Sequence, residues 1–186
     1  MLPLIRSRIS PSSRLTSVSS AGDQGGRDSE DPSLSDDGTR VVFTSGSRNL
    51  VSGDGVRDLD VFLHDTTTGR TSMPSRLPVE QKDLTSSPSI SGDGRFVVFS
   101  SYDSRFVPGD ESRTADVFVR DTADGSIRRV STDLDGTSGD AASFTGAPDA
   151  DGDRIAFAST STWDLPGDEG GTTDVFVADL DRYPRS

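Results

Sequence analysis

The apolar residues of this chain fall in short dense runs: Val41 to Phe43, Val61 to Leu63, Phe96 to Phe99, Val117 to Val119, Ile155 to Phe157 and Val175 to Val177. Stretches rich in Gly, Pro, Ser, Thr and Asp separate them, so each run predicts a strand between turns. Laid against itself, the chain repeats. Pro32 to Ser45 matches Pro88 to Ser101 at an offset of 56, and the segment ending at Ser159 matches at a further 58. The same offsets superimpose Asn49 to Asp54 on Arg105 to Asp110 and on Trp163 to Asp168, and Asp60 to Asp65 on Asp116 to Asp121 and on Asp174 to Asp179. A period of roughly 57 residues points to a solenoid, an array or a propeller.

Each unit reads as four strands. Strand one is short, at Ser33 to Ser35 and Ser89 to Ser91. An Asp-Gly connection follows at Asp37-Gly38, Asp93-Gly94 and Asp151-Gly152, where glycine supplies the positive φ of a tight hairpin and aspartate bonds its own backbone. Strand two is Arg40 to Thr44, Phe96 to Ser100 and Arg154 to Ala158. A long loop leads to strand three, the Val-Phe-Leu and Val-Phe-Val runs, and a final turn leads to strand four, clearest at Ile127 to Ser131. Val117 and Val119 point one way and Phe118 the other, so both faces of a strand call for cover. No ten-residue stretch has helical periodicity, and the covering layers must therefore be other sheets. The fold class this predicts is all-β: propeller blades of four antiparallel strands, about three of them.

The predicted organisation is a flexible N-terminal segment at 1–13 and a single repeat domain at 14–186. Within it lie a leading strand at 14–19, in which Val18-Ser19 echoes Val130-Ser131, blade one at 31–75, blade two at 86–131 and an incomplete blade three at 146–186. That inventory makes three blades if the leading strand closes against the last unit. Propellers typically have four or more, so the expectation is either part of a larger propeller, with neighbouring blades missing, or self-association, for example a two-fold dimer giving six blades.

The pattern Pro-Ser-x-Ser-x-Asp-Gly-x-x-Val-x-Phe-x-Ser, then x-Leu-Val-x-Gly-Asp and Asp-Val-Phe-Val-x-Asp-x-x-x-Gly, resembles the repeats of the TolB-like and WD40-like (PD40) propeller family. It stands at Pro32 to Ser45, Leu50 to Asp54 and Asp60 to Gly69, again at Pro88 to Ser101, Phe106 to Asp110 and Asp116 to Gly125, and with losses from Ala147 to Asp179. The third copy departs most: Asp149 replaces the serine before the Asp-Gly turn. The resemblance implies a bacterial propeller found in envelope scaffolds, in extracellular proteins and as noncatalytic domains of peptidases, and hence an extracytoplasmic setting in the periplasm or outside the cell.

Composition sharpens this picture. Hydrophobic residues make up 30% of 186, low for a globular chain, but their clustering argues for order rather than disorder. The net charge of -12 repels phosphate backbones and anionic headgroups, so neither nucleic acid nor membrane insertion is expected. The arginines are scattered and read as solvated; only Arg128 and Arg129 adjoin, and on a strand they face opposite ways. Absence of cysteine removes disulfides and thiolate chemistry. The opening residues carry no 7–15-residue hydrophobic stretch, so no signal peptide is read there.

Candidate chemistry is thin. Asp110 with Asp116, Asp168 with Asp174, and Asp54, Asp58 and Asp60 offer oxygens for calcium, but Ser112, Thr114, Gly170 and Thr172 interrupt the alternation a calcium loop needs and Arg57 sits among the first set. The simpler reading is that Gly-Asp opens a turn and the later aspartate caps strand three. His64 is the only histidine, replaced by Arg120 and Ala178 in the other copies, and nothing sets a nucleophile beside it. Trp163 begins the third Pro-Gly-Asp element and serves either as an exposed anchor or as a plug between blades, and Phe106 and Phe144 likewise fall outside the strand runs. No residue is assigned a catalytic, cofactor-binding or metal-binding role. The expected function is that of a noncatalytic binding or scaffolding module presenting loops 46–59, 102–115 and 160–173 to a protein, peptide or saccharide. The alternatives are a part of a larger hydrolase or peptidase-associated protein, and a calcium-stabilised structural repeat.

Overall fold

Three antiparallel sheets make up the computed structural model, which describes residues 13–54, 59–77, 85–110, 114–132, 139–162 and 172–180. Blade one is β1 (Ser29–Leu34), β2 (Arg40–Ser45), β3 (Asp60–Asp65) and β4 (Thr71–Ser72). Blade two is β5 (Thr85–Ile90), β6 (Phe96–Ser101), β7 (Asp116–Asp121) and β8 (Ile127–Arg129). Blade three is β9 (Ser143–Pro148), β10 (Arg154–Ser159) and β11 (Asp174–Asp179). Neighbours in sequence are neighbours in each sheet, as the repeat predicts.

Strand one is longer than expected and ends earlier. It starts at Ser29, Thr85 and Ser143, and the serines thought to lie at its end, Ser35 and Ser91, belong to the turn. There Ser35 Oγ donates to Asp37 at 2.7 Å and accepts from the Arg40 amide at 3.0 Å. In blade three Asp149 accepts from the Arg154 amide at 3.1 Å, so the departure at Asp149 preserves the acceptor on which the turn depends. The extra length of strand one is taken up by a register shift in each blade. Asp31, Ser87 and Thr145, at equivalent positions, have φ of 52°, 53° and 53° there, a left-handed conformation that side chains other than glycine adopt at a cost.

The two faces of each blade have different partners. A cross-strand phenylalanine pair recurs, Phe43 with Phe62, Phe99 with Phe118 and Phe157 with Phe176, with centroids 5.8, 6.0 and 5.7 Å apart. The blade-two pair packs backwards onto Val42, Val61 and Leu63 of blade one. On its other face Val98, Val117 and Val119 pack forwards onto Ile155, Phe157 and Ala178 of blade three. Close approach requires glycine on β9, where a Cβ on Gly146 would fall 2.2 Å from Val98 and 3.0 Å from Val117. Backbone bonds tie the blades as well, from the Asp36 amide to Gly92 O at 2.9 Å and from the Asp93 amide to Ala150 O at 2.8 Å.

The leading segment forms no strand of these sheets. It makes one bridge, Val18 to Gln24, and lies against blade one, where Arg14 Nη1 donates to Thr66 O at 3.0 Å and Thr71 Oγ1 to Val18 O at 2.5 Å. Its equivalents also shift. The Val18 amide bonds Thr16 O as the Thr132 amide bonds Val130 O, both at 2.9 Å, so Val18 matches Thr132 rather than Val130.

Candidate functional site

The hydroxyls and carboxylates at the ends of the strands mostly serve the frame. At the long-loop end of blade one, Ser45 Oγ lies in hydrogen-bond contact with Asp28 O at 2.8 Å and with Ser47 Oγ at 2.9 Å, and in blade three Ser143 Oγ bonds Ser159 Oγ at 2.9 Å. In blade two Asp103 takes the place of Ser47 and pairs with Arg105. Burial works to raise the Asp103 carboxyl, but the Arg105 hydrogen bond and charge outweigh it and hold the group below its usual range. Asp60 and Asp116 are buried at the head of strand three, accepting from Ser75 at 3.2 Å and Ser131 at 2.6 Å. These two aspartates thus tie the head of strand three to the serine that follows strand four.

Asp110, one of the candidate calcium ligands, forms an ion pair with Arg129, Oδ1 to Nη1 at 3.1 Å, with the two side chains 1% and 8% exposed. Among the described residues no three His, Asp or Glu side chains converge on a common point; Asp58, Asp168 and Trp163 lie outside those residues. Phe106, in a 3-10 turn at Ser104–Phe106, is a plug, 5.2 Å from Phe99 and 5.0 Å from Phe118, and Phe144 is half-buried on β9. His64 is 1% exposed and bonds Thr71 Oγ1 through Nδ1 at 2.9 Å. Through Thr71, which donates to Val18 O, it is part of the packing beneath the leading segment.

The sequence reading missed a cleft between blades one and two. It has a volume of about 430 Å³, within the ligand-pocket range, and its walls include Arg40, Arg70, Arg76 and Arg120 around Leu63 and Met73. Arg40 and Arg120 are half-buried and held by backbone carbonyls, which corrects the expectation of solvated arginines for these two, while Arg70 and Arg76 are exposed as expected. Arg120 donates to Pro74 O at 2.9 Å, to Arg76 O at 3.0 Å and to Gly125 O at 2.5 Å, with burial lowering its guanidinium from the ordinary value. Arg40 reaches across to Gly94 O at 2.7 Å, and Arg76 donates to Ser52 O at 3.0 Å. The two carboxylates in the wall are engaged: Asp121 by a two-pronged contact from Arg95 at 2.6 to 3.1 Å, and Asp65 by the Thr67 and Thr68 amides at 2.9 Å and by Arg40 at 3.8 Å. The Arg95 hydrogen bond holds Asp121, and the Thr68 amide holds Asp65, below the usual carboxylate range. Arg70 is exposed, and its guanidinium makes no hydrogen bond or ion pair among the described residues. A net-acidic chain thus gathers four arginines in one cleft between the blades, lined also by Leu63 and Met73 and reaching from the short turns to the long loop at Ser52.

No protein-family model and no curated protein sequence matches the chain. Solved structures do. TolB from Acinetobacter baumannii superimposes at 19% identity and a TM-score of 0.50 over 86% of this chain and 31% of that one. The tricorn protease superimposes at 16% identity and a TM-score of 0.53 over 82% of this chain and 14% of that one. The β-propeller domain of the Trilobed protease from Pyrococcus furiosus does so at 14% and 0.52, over 84% and 41%. The chain therefore spans less than half the length of each. Together with the three stacked sheets, these likenesses define the chain as an arc of a β-propeller. More particularly, its fold is the TolB-like one. Among the described residues no helix is long and apolar enough to cross a membrane.

Proposed function

We propose that this chain is a noncatalytic binding module, a rigid propeller arc whose cleft between blades one and two receives a carboxylate-bearing segment of a protein or peptide partner. The observation that carries this reading is the convergence of Arg40, Arg70, Arg76 and Arg120 around Leu63 and Met73. Arginine forks suit carboxylates, and Arg70 is free among the described residues to bond one. An acidic saccharide would meet the same chemistry, and the long loops 46–59, 102–115 and 160–173 are the competing location. The test is fluorescence anisotropy of a labelled hexaglutamate peptide against a hexalysine control. Preference for hexaglutamate, with about tenfold weaker binding by Arg70→Glu, supports the cleft. Equal binding of the two peptides, or no change with Arg70→Glu, removes it.

A second reading, a noncatalytic part of a peptidase-associated protein, is favoured by the likeness to the propeller domain of the Trilobed protease. It shares the frame and differs in the partner, which would then be a catalytic domain. We take the chain to be extracytoplasmic, a reading supported by the resemblance of its repeats to TolB; cell fractionation tests it.

A further inference from the structure

The five large hydrophobic side chains that stand exposed among the described residues are Leu15, Leu34, Tyr102, Val175 and Val177, at 52%, 57%, 51%, 77% and 66%. Four of them lie at the two ends of the arc. Their repeat equivalents identify what is missing there. Val175 and Val177 correspond to Val117 and Val119, which blade three covers to 0% and 1%. Leu34 corresponds to Ile90, which is 6% exposed against blade one. Strand β1 is exposed at its first four residues, whereas its equivalent β5 is buried at Thr85, Pro88 and Ile90. Among the described residues no blade covers the outer face of β11 and none covers that of β1, and each of these faces is the one that packs against the other in the blade contacts within the fold.

The leading segment specifies how the ends meet. Arg14 donates to Thr66 O as Arg128 donates to Leu180 O, at 3.0 and 3.3 Å. Residues 14–18 thus sit on blade one as the last strand of blade two sits on blade three. Arg128 and Arg129, however, also pair with β7, opposite Val119 and Phe118. Carried through the repeat, that register sets Arg14 opposite Val177 and Leu15 opposite Phe176. In the chain itself β11 pairs only with β10, and blade two stands between the two ends.

We infer that two copies of this chain associate head to tail, the leading segment of each supplying the fourth strand to blade three of the other while β1 covers Val175 and Val177. The contact is heterologous, and with two copies it closes, burying both free edges at once. Its chemistry is that of the blade contacts already in the fold: small residues and prolines of strand one over a valine face.

Two measurements test it. Light scattering on the purified 186-residue chain gives a species of twice 19.7 kDa, and Val175→Asp with Val177→Asp returns it to single mass with an unchanged circular dichroism spectrum. The chain has no cysteine, so Arg14→Cys and Val177→Cys are made in separate chains and mixed under mild oxidation. A disulfide-linked pair that forms in the mixture, with neither variant giving one alone, supports the register. A folded single-mass chain, an open series of larger species, or cross-linking of either variant to itself overturns the inference.

Discussion

Blades two and three carry the same Val-Phe-Val strand, yet the protein treats the two copies differently. In β7 both valines and Phe118 are buried to 1% or less; in β11 the valines are largely exposed and Phe176 is only partly covered. Nothing in the three residues accounts for this. The difference lies in the stack: β7 has a blade on either side and a fourth strand at its edge, and β11, among the described residues, has a blade on one side. In a repeat protein the stability a side chain contributes is set by the neighbours of its unit, with the sequence of the unit supplying only the capacity to pack.

The largest expected effect that sharpens the contrast is a paired truncation. Phe118→Ala removes a ring packed against Phe99, Phe106 and the valines of blade one, and is expected to cost about 3–5 kcal/mol. Phe176→Ala removes an equivalent ring from a half-open site and should cost less than about half of that. Urea titrations followed by far-ultraviolet circular dichroism give both values. Equal losses would show that blade three is as enclosed in solution as blade two, and would break the comparison.

Much of the fold could be read from the chain because its signals are local. The Asp-Gly turns and the apolar runs of strands two and three follow from residues close in sequence, and the structure agrees on both; the two-faced burial holds in β7 and not in β11, whose valines are exposed. The cleft could not be read that way. Arg40, Arg70 and Arg76 come from blade one and Arg120 from blade two, and they converge only because the blades stack; along the chain they look like scattered, solvated charges. The full length of strand one was hidden for a different reason. Its bulge places Asp31, Ser87 and Thr145 at positive φ, and of these only aspartate is a residue that tolerates such a conformation well.

That bulge offers a smaller effect, graded across the blades. Thr145 is β-branched and exposed in blade three, so Thr145→Gly removes a left-handed strain of at least about 1 kcal/mol while adding glycine's unfolded-state entropy. A net gain of about 0.5–1 kcal/mol is expected. Ser87→Gly should gain less, and Asp31→Gly close to nothing, since aspartate already accepts the conformation. Melting curves of the three variants order them; a loss at Thr145 would mean that its hydroxyl or methyl makes a contact worth more than the strain.

The smallest effect separates blade one from the other two. His64 stands where blades two and three have Arg120 and Ala178, and being the one histidine it makes its titration assignable. Thr71 gives its hydroxyl proton to Val18 O, so His64 Nδ1 is the donor to Thr71, and Nε2 faces a buried site with no partner among the described residues. Burial lowers the imidazole pKa, the charge of Arg14 adds to that, and Asp65 opposes it. The unfolded chain takes up a proton near the ordinary value of about 6.5, whereas the folded chain resists it to lower pH. The stabilisation is thus complete above that value and lost as pH falls below it. The melting temperature should decline gently between about pH 7 and 5, above the range in which the hydrogen-bonded carboxylates Asp65 and Asp121 titrate. His64→Gln should flatten that segment of the profile while leaving the steeper acid limb in place. A wild-type profile that is already flat there would show that His64 is as easily protonated in the folded chain as in the unfolded one, which requires that water or a partner reach Nε2 beneath the leading segment.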